Sequence, residues 1–163
     1  MKLSGGVEWA LHCCVVLTTA TEPVPAARLA ELHDVSPSYL AKQMQALSRA
    51  GLVESVQGKT GGYVLTRAAS EITVLDVVQA VDGAAPAFVC TEIRRRGPLG
   101  TPPEDCTKPC PIARVMGAAE ASWRASLRGV SIADLVDSAE RDNGPEALPR
   151  IGAWLNPAAG PGS

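Results

Sequence analysis

Ser36-Pro37-Ser38-Tyr39-Leu40-Ala41-Lys42-Gln43-Met44-Gln45-Ala46-Leu47-Ser48-Arg49-Ala50-Gly51 is the stretch on which the fold turns. Serine ahead of proline is a helix start. The hydroxyl can accept an orphan backbone N–H, and proline at the first helical position lacks an N–H that would have had no partner. Leu40, Met44 and Leu47 then recur on one helical face, and Gly51 marks the stop. Upstream, a helix beginning near Pro25 shows Leu29 and Leu32 on its inner side and ends at His33-Asp34. Two short helices joined by a tight turn, the second firmly capped, make a helix-turn-helix unit whose second helix enters the major groove of DNA. An ordinary pair of packed helices shows the same pattern, so the next segment decides between them.

Leu52 to Ser55 and Tyr63 to Thr66 are short strand-like runs flanking Gln57, Gly58, Lys59, Thr60, Gly61 and Gly62. A glycine-rich hairpin directly behind a recognition helix, with a cation at its tip, reads as a wing that reaches the adjacent minor groove or the phosphates. A phosphate-binding loop would open a helix, and none starts here.

Outside this unit, Ser4 is placed to cap a first helix running to about Thr19, with Val7, Leu11, Cys14, Val15 and Leu17 for burial. Thr73 caps a helix from Val74 to Val81 that turns Leu75, Val78 and Val81 inward and ends at Gly83. A long irregular stretch rich in glycine and proline follows and holds Cys90, Cys106 and Cys110; such a stretch in a compact domain is functional or disordered. A long helix is predicted from Pro111 to about Leu127, with Ile112, Val115, Met116, Ala119 and Trp123 on one side. Ser131 caps a shorter one containing Ile132, Leu135 and Val136, and beyond Arg141 the composition suggests a loosely ordered tail.

Composition agrees with one small helical domain. The chain has 163 residues, 46% of them hydrophobic and 20% charged, with only three Trp, two Tyr and one Phe, too few for a typical sandwich or barrel. The net charge of -2 hides a gradient. Between Ser36 and Arg67, Lys42, Arg49, Lys59 and Arg67 face Glu54 alone, whereas after Ser131 the acids Asp134, Asp137, Glu140, Asp142 and Glu146 outnumber Arg141 and Arg150. A basic middle with an acidic tail suits local DNA contact. The apolar run from Trp9 to Ala20 is short, interrupted by His12 and preceded by Glu8, so it makes no signal sequence and the protein is expected in the cytoplasm, without a membrane partner. There, five cysteines read as thiols or metal ligands rather than disulfides. No paired catalytic carboxylates, nucleophile motif or substrate-binding architecture is present, which argues against an enzyme or a small-molecule substrate.

Cys106 and Cys110 lie close in sequence, just before Pro111, and thiolates at such spacing can share a metal. An iron-sulfur cluster needs four donors, and histidine can replace cysteine among them. Only His12 and His33 are available, and His12 stands four residues from Glu8 on one face of the first helix. Glu8 as a solvated residue and His12 as a hydrogen-bonded core histidine is the plainer alternative. Three loop cysteines with His12 could instead hold zinc. Cys13 and Cys14 read as small core residues, and His33 as a helix cap or a titrating group in the turn.

Ser36-Pro37-Ser38-Tyr39-Leu40, Ala50-Gly51-Leu52-Val53, Gly61-Gly62-Tyr63, the run from Ile72 to Gly83 ending in Ala80-Val81-Asp82-Gly83, and the cysteines behind it together resemble the Rrf-two family of winged-helix regulators over residues 1–140, its redox-sensing members above all. The resemblance implies a mainly α fold, with a winged helix-turn-helix region carrying a two-stranded β-wing (1–83), a cysteine-bearing cluster loop (84–110), dimerisation helices (111–140) and a flexible tail (141–163). It further implies a homodimer, formed through the long helix, that binds a roughly palindromic double-stranded operator near promoters, most commonly as a repressor. The family's DNA contacts fall on Ser36, Ser38, Tyr39 and Lys42; Gln43 can also reach base edges, and Arg28 of the preceding helix joins the set. Many members carry a wing arginine where this chain has Gln57, leaving minor-groove contact to Lys59 or implying a different operator preference.

Cluster-binding relatives place three cysteines between these same helices, at shorter and more even gaps than Cys90 to Cys106. In the nitric-oxide-sensing relatives an acidic residue at the position of Glu8 completes the cluster from the partner subunit. The expectation is therefore a 2Fe-2S cluster at the dimer interface, with Glu8 and His12 from one chain and two of Cys90, Cys106 and Cys110 from the other, Cys106 and Cys110 favoured on spacing. Trp9 would relay the cluster's redox state to the recognition helix. The alternatives are a 4Fe-4S cluster held by three cysteines and Glu8 in a nitric-oxide or iron-supply sensor, and a regulator with zinc or no cofactor.

Overall fold

A computed structural model describes residues 2–58 and 61–156 of the chain. Its helices are α1 (Gly5–Leu17), α2 (Ala26–Leu32), α3 (Pro37–Arg49), α4 (Val74–Asp82), α5 (Pro111–Arg128), α6 (Ile132–Asn143) and α7 (Ala147–Leu155), with strands β1 (Val53–Val56) and β2 (Gly62–Leu65) between α3 and α4.

The helix-turn-helix forms as its sequence dictates. The Ser36 hydroxyl accepts the Tyr39 N–H at 3.3 Å, and Pro37 opens α3. Asp34 in the turn and Gly51 after the helix adopt left-handed backbone, with φ of +49° and +70°. Leu29, Leu40, Met44 and Leu47 are fully buried and join the main core with Ala10, Cys13, Cys14, Val24 and Ile72. β1 and β2 pair antiparallel with Val53 opposite Leu65 and Val56 opposite Gly62, so the first strand starts one residue later, and the second one earlier, than their side chains suggested. The wing is anchored at its base by reciprocal backbone bonds between Val24 and Tyr63, of 3.1 and 2.8 Å. Glycine at position 62 permits this approach, because a Cβ there would lie 2.3 Å from the Val24 carbonyl carbon.

Three expectations need correction. Ser4 does not cap α1 through its side chain; its hydroxyl and its N–H, the latter at 2.9 Å, both donate to the Asp82 carboxylate and tie the start of α1 to the end of α4. On α5, Trp123 does not share a side with Ile112, Val115 and Met116: it packs with Leu127 against Val7, Val74 and Val78 of its own chain, while those three are 63%, 68% and 42% exposed. Finally, residues beyond Arg141 are not simply irregular. The chain leaves α6 at Gly144 and forms α7, which buries Leu148 and Leu155 and sets Gly152 against the Thr19 carbonyl. Alanine, proline and glycine disguised this helix because its stability comes from docking rather than from propensity. The rest of the expected tail, 157–163, lies outside the described residues.

Reciprocal capping boxes of Thr73 with Asp76 and of Ser131 with Asp134 start α4 and α6, and the two caps lie side by side through a Thr73–Ser131 bridge. Among the described residues no helix is long and apolar enough to cross a membrane.

Candidate nucleic-acid interface and cysteine centre

The free face of α3 is set by which of its residues the core takes. Leu40, Gln43, Met44, Ala46 and Leu47 are buried. Ser38, Lys42, Gln45 and Arg49 are exposed and follow one another at four, three and four residues, a single helical stripe. Ser36 and Tyr39 are exposed at its N-terminal end, where Ser36 Oγ and Ser38 Oγ lie 2.9 Å apart. Gln43, expected to read bases, is only 5% exposed, and its amide fills the space a side chain on Gly6 of α1 would need. Gln45 occupies the outward place instead. Two residues along a helix turn a side chain through roughly half a circle, so a count of the helical period from Leu40 and Met44 would have found it.

Arg28, also expected at DNA, is engaged elsewhere. Its guanidinium lies 3.4 Å from the Trp154 ring centre, donates to the Trp154 carbonyl at 2.6 Å and pairs with Glu31 at 3.0 Å. In the wing, Gln57 is exposed and reaches Ser55 at 3.4 Å; Lys59 lies outside the described residues.

Between this interface and α1 sits an aromatic cluster. Trp9 is half-buried and meets His33 edge-on at 5.9 Å, and His12 meets the same ring at 5.8 Å. His33 is the C-terminal cap of α2, inside the helix-turn-helix turn. Its Nε2 is buried without a hydrogen-bond partner, and burial, reinforced by His12, holds its pKa below the ordinary value. Glu8 and His12 are exposed on α1.

The loop cysteines differ from the two in the core. Cys13 and Cys14 are wholly buried, and burial pushes both thiols up to about 12, which keeps them inert. Cys110 instead stands at the N-cap of α5, where backbone N–H groups of Ala113 and Ile112, then the Cys90 thiol and the Arg94 guanidinium, hold its pKa below the ordinary value. Cys90 thus lies near enough to Cys110, across the long interval, to influence it. Arg94 lies close enough to Cys106 and Cys110 to feel both.

Among the described residues, no group of three histidine, cysteine, aspartate or glutamate side chains could hold a metal ion. The expected set of Glu8, His12, Cys90, Cys106 and Cys110 is therefore not assembled within one chain, and neither is a zinc site of three loop cysteines with His12. One chain does offer two neighbouring cysteines, Cys90 and Cys110, the second with its thiolate favoured, beside the Arg94 cation. That donor chemistry fits an iron-sulfur group whose remaining ligands come from a second chain.

A family profile described as Rrf2, iron-dependent transcriptional regulator, matches residues 3–138. YwgB of Bacillus subtilis (strain 168), by name an HTH-type transcriptional regulator, is 35% identical over 141 residues, 84% of this chain and 85% of its own. The HTH-type transcriptional regulator IscR of Klebsiella pneumoniae (strain 342) is 43% identical over 76 residues, 47% of either chain. Among solved structures, CymR, the global cysteine regulator of B. subtilis, superposes with a TM-score of 0.61 at 22% identity, covering 85% of this chain and 98% of CymR. T. potens IscR gives 0.60 at 23% identity, covering 87% of this chain and 90% of that one, so the winged-helix fold is shared with both.

Proposed function

Given that the chain belongs to the Rrf2 family of transcriptional regulators, we propose that it binds promoter DNA as a cytoplasmic homodimer whose affinity is set by the redox state of a 2Fe-2S cluster, most commonly to repress. Its relatives are transcription regulators, not enzymes, and DNA binding is their shared work. The finer statement rests on the loop: Cys90 folded onto Cys110, beside Arg94, at the mouth of a helix whose apolar stripe is open.

Ile112, Val115 and Met116 leave α5 a face for the same helix of a second copy. That pairing would bring the partner's Glu8 and the partner's His12, exposed on α1, toward the cysteine loop as the remaining donors. When bound, the cluster supplies one reversible electron and with it a change of charge. The protein's own part is to hold it and to respond. The α5 N-terminus favours the thiolate of Cys110, and Trp9, adjacent to Glu8 in sequence, packs on His33 in the helix-turn-helix turn. A shift of Glu8 would therefore be felt where α2 hands over to α3. On the DNA side, Ser36, Ser38, Tyr39, Lys42 and Gln45 present donors and acceptors along the exposed α3 stripe and its N-terminal end, with the wing beside them.

The test is anaerobic isolation followed by iron and sulfide analysis, visible and paramagnetic-resonance spectra before and after dithionite, and operator retention in both states. A 2Fe-2S signature with operator binding in one state only is expected. Linkage sets the scale: a swing of about four decades in population needs about 5.5 kcal/mol, or roughly 240 mV between bound and free forms at about 59 mV per decade, shared between two clusters. A 4Fe-4S spectrum would replace the cluster type and turn attention to nitric oxide or iron supply. Colourless protein with stoichiometric zinc, or with no metal and unaltered operator binding, would overturn the redox switch.

A further inference from the structure

The segment from Cys90 to Cys106 is longer than a metal loop requires, and the structure shows how its length is used. Glu92 adopts left-handed backbone with φ of +52°, a 3₁₀ turn follows over Ile93–Arg95, and Gly97 reverses the chain with φ of +78°. The Thr101 N–H then donates to the Arg94 carbonyl at 2.8 Å, closing the excursion. Gly100 makes the closure possible, because a Cβ there would stand 2.6 Å from the Arg95 oxygen.

The Arg94 side chain joins the two arms that carry the cysteines. Its Nε donates to Glu92 Oε2 at 2.8 Å, and its Nη2 donates to the Lys108 carbonyl, between Cys106 and Cys110, at 2.8 Å. Glu92 reaches back to Cys90: the thiol lies 3.8 Å from Oε1, and the Glu92 N–H points to the sulfur at 3.5 Å. Cys90, Glu92, Arg94 and the Lys108 carbonyl thus form a continuous brace, with the guanidinium half-shielded from water. A left-handed non-glycine residue within that brace is strain held by its surroundings, which is common beside functional centres.

Resting on the cluster reading above, we propose that Arg94 is a positioning residue of the cysteine centre, folding the Cys90 arm onto Cys110 and lending a positive charge that favours the more negative, reduced state of the bound group. A fixed cation near a redox group raises its potential, and a fixed anion lowers it. Glu92, the paired anion, must act in the opposite direction.

The experiment compares wild type with Arg94→Gln, Arg94→Lys and Glu92→Gln. Reductive titration with dithionite is followed optically on the reconstituted dimer, and hydrogen exchange of the 91–101 segment is followed on the iron-free protein. Arg94→Gln should move the oxidised-to-reduced ratio about tenfold toward oxidised at fixed ambient potential, about 59 mV for one electron. Glu92→Gln should move it the other way, and Arg94→Lys should stay near wild type because the charge is kept. Exchange in 91–101 should quicken in both Arg94 variants, since lysine cannot hold Glu92 and the Lys108 carbonyl together. Iron-loaded Arg94→Gln and Glu92→Gln with unmoved ratios, or Arg94 variants with unmoved exchange, would overturn the assignment. A wild type without iron would overturn the cluster reading instead, and the exchange measurement would still decide the brace.

Discussion

The Arg28 guanidinium lies over the Trp154 indole, 3.4 Å from the ring centre, and donates to the Trp154 carbonyl at 2.6 Å, clamping α7 onto the first helix of the helix-turn-helix. The clamp uses a residue that sequence assigned to DNA. Its cation–π component is expected at about 1 kcal/mol for a partly desolvated pair. A double-mutant cycle of Arg28→Ala and Trp154→Ala in urea unfolding should return a coupling of that size. Arg28→Ala alone should leave the salt dependence of operator binding unchanged; a reduced slope would place Arg28 at a phosphate.

The α3 stripe predicts a division between two glutamines. Gln45→Ala should weaken operator binding, by about 1–3 kcal/mol if it makes a bidentate base contact, with little change in unfolding midpoint. Gln43→Ala should chiefly destabilise the α1–α3 contact over Gly6. Lys42→Ala should flatten the log-log salt slope by about one per half-site. Binding isotherms at several salt concentrations, with melting curves, check all three.

On α5 the exposed Ile112, Val115 and Met116 form the apolar face offered to a second copy. Val115→Glu places a charge in that face without touching the chain's own core. Sedimentation should show monomers, with operator affinity falling because the two half-sites are no longer linked. An unchanged dimer would move the interface elsewhere.

Asp134 gives a pH dependence. Its carboxylate accepts the Ser131 N–H at 2.8 Å and the Ser131 hydroxyl at 2.7 Å, and these bonds hold its pKa below the ordinary 3.8. Folding therefore favours the anion. The stabilisation is complete above the ordinary value and fades as pH falls through the lowered one. Asp134→Asn, which can still accept a hydrogen bond but carries no charge, should lose less of its urea midpoint than wild type between about pH 5 and about pH 2.5. Equal losses would show that the cap does not titrate.

What sequence determined by itself is local. Ser36-Pro37, Gly51, Thr73 and Ser131 start or stop helices through caps and turns that need only their near neighbours, so the helix-turn-helix, the wing and the order of the helices as far as α6 were legible in the chain. Tertiary structure decided which polar side chains remained free. Gln43 and Gln45 are alike as residues; the helical period sets them on opposite sides of α3, and the packing of α1 over Gly6 is what buries Gln43. α7 exists because it finds α1 and α6 to pack against, Trp154 finds Arg28, and Gly152 fits under Thr19; of these partners only α6 is nearby in sequence. The meeting of Cys90 with Cys110 is decided the same way. Spacing cannot foresee a loop folded back by its own arginine, because that closure depends on hydrogen bonds between arms that sequence keeps apart.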